Sequence, residues 1–148
     1  MSNEDVIKSK LAAMSLYLPK LMPYLEKYRQ GKMELNDPEI FIVERLFQLI
    51  ADAAIDINTH IITRGRLEPS DDYEGTFRIL GKHGILPVDL AEKISGSVGL
   101  RNRLVHGYEK VQRKIVMDDI SSGIGQYIDY MKHIAEFVKK GLEQGIGS

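Results

Sequence analysis

"NDPEIFIVERLFQLIADAAIDINTHII", residues 36–62, is the stretch on which the fold turns. Within it Ile40, Val43, Phe47, Ile50, Ala54, Ile57 and Ile61 recur at three- and four-residue steps, which is one face of a helix. Asp37 can cap that helix, and Pro38 has the fixed φ that suits a first helical position. "TRGRLEPS" (63–70) ends it. An apolar stripe this long is stable only when buried against other helices, so its neighbours should carry stripes of their own.

They do. Upstream, Ile7, Leu11, Met14, Leu18, Leu21, Leu25 and Tyr28 form a second helical face, interrupted by Pro19 and Pro23. Each proline lacks an N–H and crowds the carbonyl four residues back, so a kink or break is expected near Ser15–Pro19. Downstream, a short helix capped by Ser70 or Asp71 should run through Phe77 and Leu80 to "GKHG" (81–84). Pro87 opens a fourth helix, expected from Leu90 to about Tyr108 and crossed by Gly96 and Gly99. Asp118 or Asp119 should cap the last, with Ile120, Ile124, Tyr127, Met131, Ile134, Val138 and Leu142 facing inward. There is no repeat, no low-complexity linker and no sustained strand alternation. The expected fold class is all-α, an antiparallel four-helix bundle with one additional short helix. It should form a single domain over residues 1–140, with a flexible C-terminal tail at 141–148.

Composition excludes several classes of function. A chain of 148 residues with 43% hydrophobic and 28% charged residues is that of one soluble globular domain. The lack of cysteine excludes disulfides and thiolate metal sites and fits a reducing cytoplasm. "MSNEDVIKSK" (1–10) has no apolar signal-peptide core, and no stretch approaches the roughly 20 apolar residues of a membrane span. A cytoplasmic location without a membrane partner is the expectation. A net charge of −1 gives no global attraction to nucleic acid. Residues 101–114, however, hold Arg101, Arg103, Lys110, Arg113 and Lys114 against Glu109 alone. That makes either a modest anion-attracting patch or a solvated basic helix end.

The patch begins with "RNRLVHGYEK" (101–110). On a wheel of about 100° per residue with Leu90 at 0°, the apolar stripe of the fourth helix centres near 10–20°, and Arg101 falls at about 20°, inside it. A guanidinium stays charged and is costly to bury alone, so Arg101 must meet a buried acid or face a cleft, unless the two preceding glycines rotate the helix phase. His106 lies roughly 140° away, with Asn102 on its side. Both side chains are long enough to converge around a cleft lip, and two symmetric copies could also bring one copy's Arg close to the other's His across a two-fold axis. Such a set suits phosphodiester cleavage. Histidine moves protons near neutral pH, and arginine holds phosphate and stabilises charge growing on phosphorus. With RNA the 2′-hydroxyl is the nucleophile, so no metal, cofactor or enzyme nucleophile is required. The plainer alternative is a helix end where His106 and Lys110 favour the dipole while Arg101 forms an internal ion pair.

"RNRLVHGY" resembles the Arg-x4-His-x-Tyr signature of the HEPN superfamily, and most closely its HepT-like toxins. The small all-helical chain, the late motif and a second helix of the type "ERLFQLIADAAIDINTHII" (44–62) share the likeness. The resemblance implies a helical bundle that dimerises around a composite cleft and acts as a metal-independent endoribonuclease on RNA, with no DNA substrate. It implies Arg101 and His106 as the catalytic pair and Asn102 as the polar residue that shapes the site. It also implies Tyr108 as the tyrosine that an MNT-type nucleotidyltransferase antitoxin modifies with AMP. Arg103 and Lys110 are candidate RNA-backbone contacts, with a solvated role as the alternative for Arg103. A different class of function uses the same cleft: a non-catalytic subunit presenting nucleotide or substrate to a nucleotidyltransferase.

Other features read more plainly. Arg45, Leu49, Asp52 and Asp56 share the face opposite the main stripe of the second helix. Leu49 hints at a contact surface such as a dimer seam, and Asp52 or Asp56 is placed to pair Arg101 or orient His106, although a solvated acidic face is favoured. His60, His83 and His133 lack metal-ligand spacing and read as surface or capping residues. "GSVG" (96–99) and "GIG" (123–125) follow no strand and are not phosphate loops. Met14, Met22, Met33, Met117 and Met131 read mostly as core filling.

Overall fold

The computed structural model describes residues 3–143, and in it the chain is an all-helical antiparallel bundle without strands among those residues. The elements are α1 (Asn3–Arg29), α2 (Glu39–Arg64), α3 (Tyr73–Lys82), α4 (Val88–Ser95), α5 (Ser97–His106) and α6 (Arg113–Glu143), with a 3-10 turn at Lys110–Gln112. Helices α1, α2 and α6 form the bundle with the α4–α5 pair as its fourth member, and α3 packs on α4 and α2 as the additional short helix. The stripes read from the sequence form the core. Met14, Leu21 and Leu25 of α1, Val43, Phe47, Ile50 and Ile57 of α2, and Ile120, Tyr127 and Ile134 of α6 are fully buried. Met33 and Met117 are buried with them.

Several local expectations are corrected. α1 is continuous through Pro19 and Pro23. Both prolines and Ser15 lie on the solvent side, where a carbonyl left without an amide partner costs less than in the core, so the helix survives the missing bonds. The cap of α3 is Asp72, not Ser70 or Asp71: its Oδ1 accepts from Gly75 N at 2.7 Å, while Ser70 Oγ braces the turn through Asp72. The expected fourth helix divides at Gly96 into α4 and α5 and ends at His106, where Gly107 takes φ 89°, so Tyr108 lies beyond it. Neither Asp118 nor Asp119 caps the last helix, because the 3-10 turn leads straight into α6 at Arg113. Gly81 is needed where α3 meets α4: a Cβ there would come within 2.6 Å of Ala91 Cβ. α6 runs a short way into the expected tail, and residues 144–148, like the side chain of Leu142, lie outside the described residues.

One buried polar network ties the bundle together. Asn58 is fully buried and donates to Thr76 Oγ1 at 3.1 Å while accepting from Tyr130 Oη at 2.6 Å. Tyr130 Oη also reaches the Ala54 carbonyl at 3.0 Å, so α2, α3 and α6 are joined at one point. No described helix is long and apolar enough to cross a membrane.

Candidate active site

Arg101 projects from α5 onto α2. Its Nε donates to Asp52 Oδ1 at 2.7 Å, and its Nη1 donates to Asn102 Oδ1 at 3.1 Å. The Tyr73 ring, at the start of α3, lies with its centroid 5.3 Å from Arg101 Cζ. The Arg101 side chain is 17% exposed and that of Asp52 is 32% exposed. The wheel therefore placed Arg101 correctly towards an acid, while the favoured solvated reading of Asp52 is overturned: the guanidinium needs a counter-charge and Asp52 supplies it. Asp56 instead pairs Lys10 at 2.9 Å. α5 is anchored at its start by Ser97 Oγ, 2.5 Å from Tyr127 Oη in the core, where burial pushes the Tyr127 phenol far up.

His106 is the last residue of α5 and is exposed. Its ring makes no hydrogen bond or ion pair with any described residue. Arg101 and His106 share one helix five positions apart, so they diverge by roughly 140° and rise about 7.5 Å along the axis. Along an ideal helix the two residues face different sides.

Tyr108 sits past Gly107, half-buried, with its hydroxyl donating to Glu44 Oε2 of α2. Burial first, and then the Glu44 carboxylate, hold the phenol above its ordinary range, partly opposed by Arg113. Arg113 donates from Nη1 to the Leu35 carbonyl at 2.8 Å and lies 5.7 Å from the Phe41 ring centroid. Within the basic stretch Arg101 and Arg103 meet acids from other helices, and Lys114 meets one on its own helix. Arg103 pairs Asp119 at 3.2 Å and Lys114 pairs Asp118 at 2.7 Å, while the side chain of exposed Lys110 has no hydrogen bond or ion pair among the described residues.

The remaining histidines divide. His83 is the C-cap of α3 through its backbone N–H, which donates to the Ile79 carbonyl at 3.1 Å, and its Nε2 separately meets Glu68 at 2.9 Å. His60 is half-buried, its Nε2 is enclosed without a partner, and burial lowers its pKa. No group of three His, Cys, Asp or Glu among the described residues is placed to hold a metal ion. A groove of about 610 Å³ lies between the end of α1 and the start of α6, lined by Tyr28, Arg29, Leu35, Lys114, Asp118 and Ser121. Four of its polar residues pair across it: Arg29 Nε donates to Ser121 Oγ at 2.8 Å, and Tyr28 Oη to Asp118 at 2.5 Å. Arg101 and His106 do not border this groove.

Sequence reasoning missed Glu44, Tyr73 and Asp119. Glu44 is 64 positions from its partner Tyr108 and Asp119 is 16 from Arg103, with no periodic signal linking either pair. Only the helix phase of α2, which puts Glu44 and Asp52 two turns apart on one side, offered a clue.

The chain's relatives agree with this architecture. The family described as Ribonuclease HepT-like matches residues 14–134. The tRNA nuclease HepT of Aphanizomenon flos-aquae is 35% identical over 133 residues, covering 90% of each chain. The mRNA nuclease HepT of Shewanella oneidensis is 24% identical over 131 residues, covering 86% of this chain and 97% of that protein. Among solved structures, a tri-AMPylated Shewanella oneidensis HEPN toxin in complex with an MNT antitoxin superposes with a TM-score of 0.75 at 22% identity, covering 89% of this chain and 98% of that one. A toxin–antitoxin structure with AMP-PNP gives 0.74 at 20% identity, with the same coverage, and both share the fold. Matched along most of its length and at 35% identity to a full-length relative, the chain belongs to the HepT-like ribonuclease family.

Proposed function

We propose that this chain is a metal-independent endoribonuclease, the toxin of a pair whose antitoxin is an MNT-type nucleotidyltransferase, and that it works in the cytoplasm as a homodimer. The observation that carries the reading is Arg101: Asp52 and Asn102 hold its inner edge, leaving the Nη2 hydrogens and one on Nη1 for a phosphate. His106, exposed and free of partners among the described residues, is suited to move protons.

In the proposed reaction His106 takes the proton of the RNA 2′-hydroxyl. The 2′-oxygen attacks phosphorus, the bond to the 5′-oxygen breaks, and a proton passes to that leaving oxygen. The products are a 2′,3′-cyclic phosphate and a 5′-hydroxyl. Arg101 holds the non-bridging oxygens as charge builds on them, and Asn102 fixes its plane. Because Arg101 and His106 diverge on α5, the reacting pair is one protomer's Arg101 and its partner's His106 across a two-fold axis. Leu49, half-buried on α2 near Asp52, offers apolar contact at that seam. DNA lacks the 2′-hydroxyl and is not cut. Lys110 binds the RNA backbone, and Arg103 contributes by exchanging Asp119 for phosphate.

Tyr108 is the proposed acceptor of AMP. The added phosphate would carry negative charge beside His106 and compete with RNA for the same cations. The deciding experiment is cleavage of total cellular RNA in EDTA by wild type, Arg101→Ala and His106→Ala, with end-group analysis. Cleavage lost in both variants, with cyclic phosphate ends, is expected. A folded wild-type dimer that cuts nothing would overturn the reading in favour of a non-catalytic subunit.

A further inference from the structure

The exposed face of Tyr73 has no role in the reaction above. Tyr73 is the first residue of α3, placed by its Asp72 cap, and the residue is 48% exposed. One face of its ring lies against the Arg101 guanidinium, at 5.3 Å from centroid to Cζ. About half of the residue stays open to solvent, as expected of a ring covered on one face only. Its hydroxyl makes no hydrogen bond with any described residue. A clamp for Arg101 needs one face of an aromatic ring. The half of Tyr73 open to solvent lies beside a guanidinium with hydrogens left over from Asp52 and Asn102, on a chain where other tyrosines, such as Tyr127 and Tyr130, are packed into the core.

Unpaired bases are recognised by stacking on such rings, whereas paired bases in a duplex cannot present their faces. A nucleotide whose phosphate sits on Arg101 has its base, or the next one, within reach of Tyr73. We propose that Tyr73 is a stacking platform for the unpaired base flanking the phosphate held by Arg101, which directs the protein to single-stranded segments of RNA. This rests on the ribonuclease reading. Stacking tolerates any base, so the platform selects for strandedness more than for sequence.

The chain has no tryptophan, so Tyr73→Trp installs a single fluorescent reporter at the platform. In a His106→Ala background it is titrated with a single-stranded oligoribonucleotide labelled for anisotropy. The expected result is tryptophan quenching that follows the anisotropy curve, with the duplex form of the same RNA giving no quenching. Anisotropy that rises without quenching would overturn the platform while leaving RNA binding intact. No rise in anisotropy with this variant, and none with the wild type under the same conditions, would remove the ribonuclease reading and the platform with it. If Tyr73→Trp fails to fold by circular dichroism, Tyr73→Ala decides the matter. The platform predicts a KM for single-stranded RNA raised about tenfold, the worth of one stacked base, with kcat changing little. A fall in kcat at unchanged KM would assign Tyr73 to clamping Arg101 alone.

Discussion

Replacing Asp52 separates a held guanidinium from a solvated one. The Arg101–Asp52 pair, 2.7 Å from Nε to Oδ1, is neither open nor sealed, at 17% and 32% side-chain exposure. Exposed ion pairs are worth about 0–1 kcal/mol, hydrogen bonds to charged groups about 1.5–3, and loss of one partner from a fully buried pair costs about 3–5. Intermediate burial puts Asp52→Ala at about 2 kcal/mol. That is roughly a 30-fold shift in the folding equilibrium and, for a chain of this size, a Tm lower by about 4–8 °C. Urea unfolding of Asp52→Ala, Arg101→Ala and the double variant isolates the pair, with an expected coupling of about 2 kcal/mol at constant m-value. RNA cleavage by Asp52→Ala should fall by about two orders of magnitude, mostly in kcat, because Arg101 loses its alignment rather than its charge. Coupling below about 0.5 kcal/mol would refute the reasoning and return Asp52 to a solvated acidic face.

Three further outcomes are expected. Asn58→Ala should destabilise by about 2–3 kcal/mol in urea, since it removes two buried hydrogen bonds and leaves a small cavity, while Tyr130 and Thr76 each keep one other partner; a cost near zero would mean that water replaces the amide. The Glu68 carboxyl, held down to about 2 chiefly by the His83 hydrogen bond and then by its backbone and Lys82, should contribute stability above the ordinary carboxylate range that is lost as pH falls towards 2. Its NMR titration should show that midpoint, and His83→Ala should move it upward; an ordinary midpoint in the wild type would dismiss the clasp. The Tyr28 phenol, pushed up to about 12 by burial and by Asp118, should contribute stability that is complete below the ordinary tyrosine range and lost as pH rises from about 10 towards 12; an ultraviolet difference titration against Tyr28→Phe isolates it.

The stripes of α1, α2 and α6 were legible because burial of one helix face demands a period of 3.6, and that demand is written locally. The same legibility misled at the helix ends. Asp118 and Asp119 look like caps, yet they serve Lys114, Tyr28 and Arg103, and a 3-10 turn that no motif announces starts α6. Pro19 and Pro23 look like breaks, yet they fall on the solvent side, where a missing hydrogen bond costs least. Gly96 marks a weak point in the sequence, but whether it bends or divides the helix depends on how α4 and α5 pack against α6 and α2, which local sequence does not record.

At the site the division is similar. The spacing in "RNRLVHGY" placed Arg101, Asn102, His106 and Tyr108 together on the chain, and the charge rule for buried guanidinium required a partner for Arg101. Choosing Asp52 over Asp56, setting Tyr73 beside Arg101 and giving Tyr108 to Glu44 were matters for the tertiary structure. Periodicity over a few turns made the buried faces of α1, α2 and α6 readable residue by residue, and the motif singled out Arg101, Asn102, His106 and Tyr108 as candidates. Only the fold decided the partners, since Asp52 and Arg101 stand 49 positions apart and meet through the packing of α5 on α2.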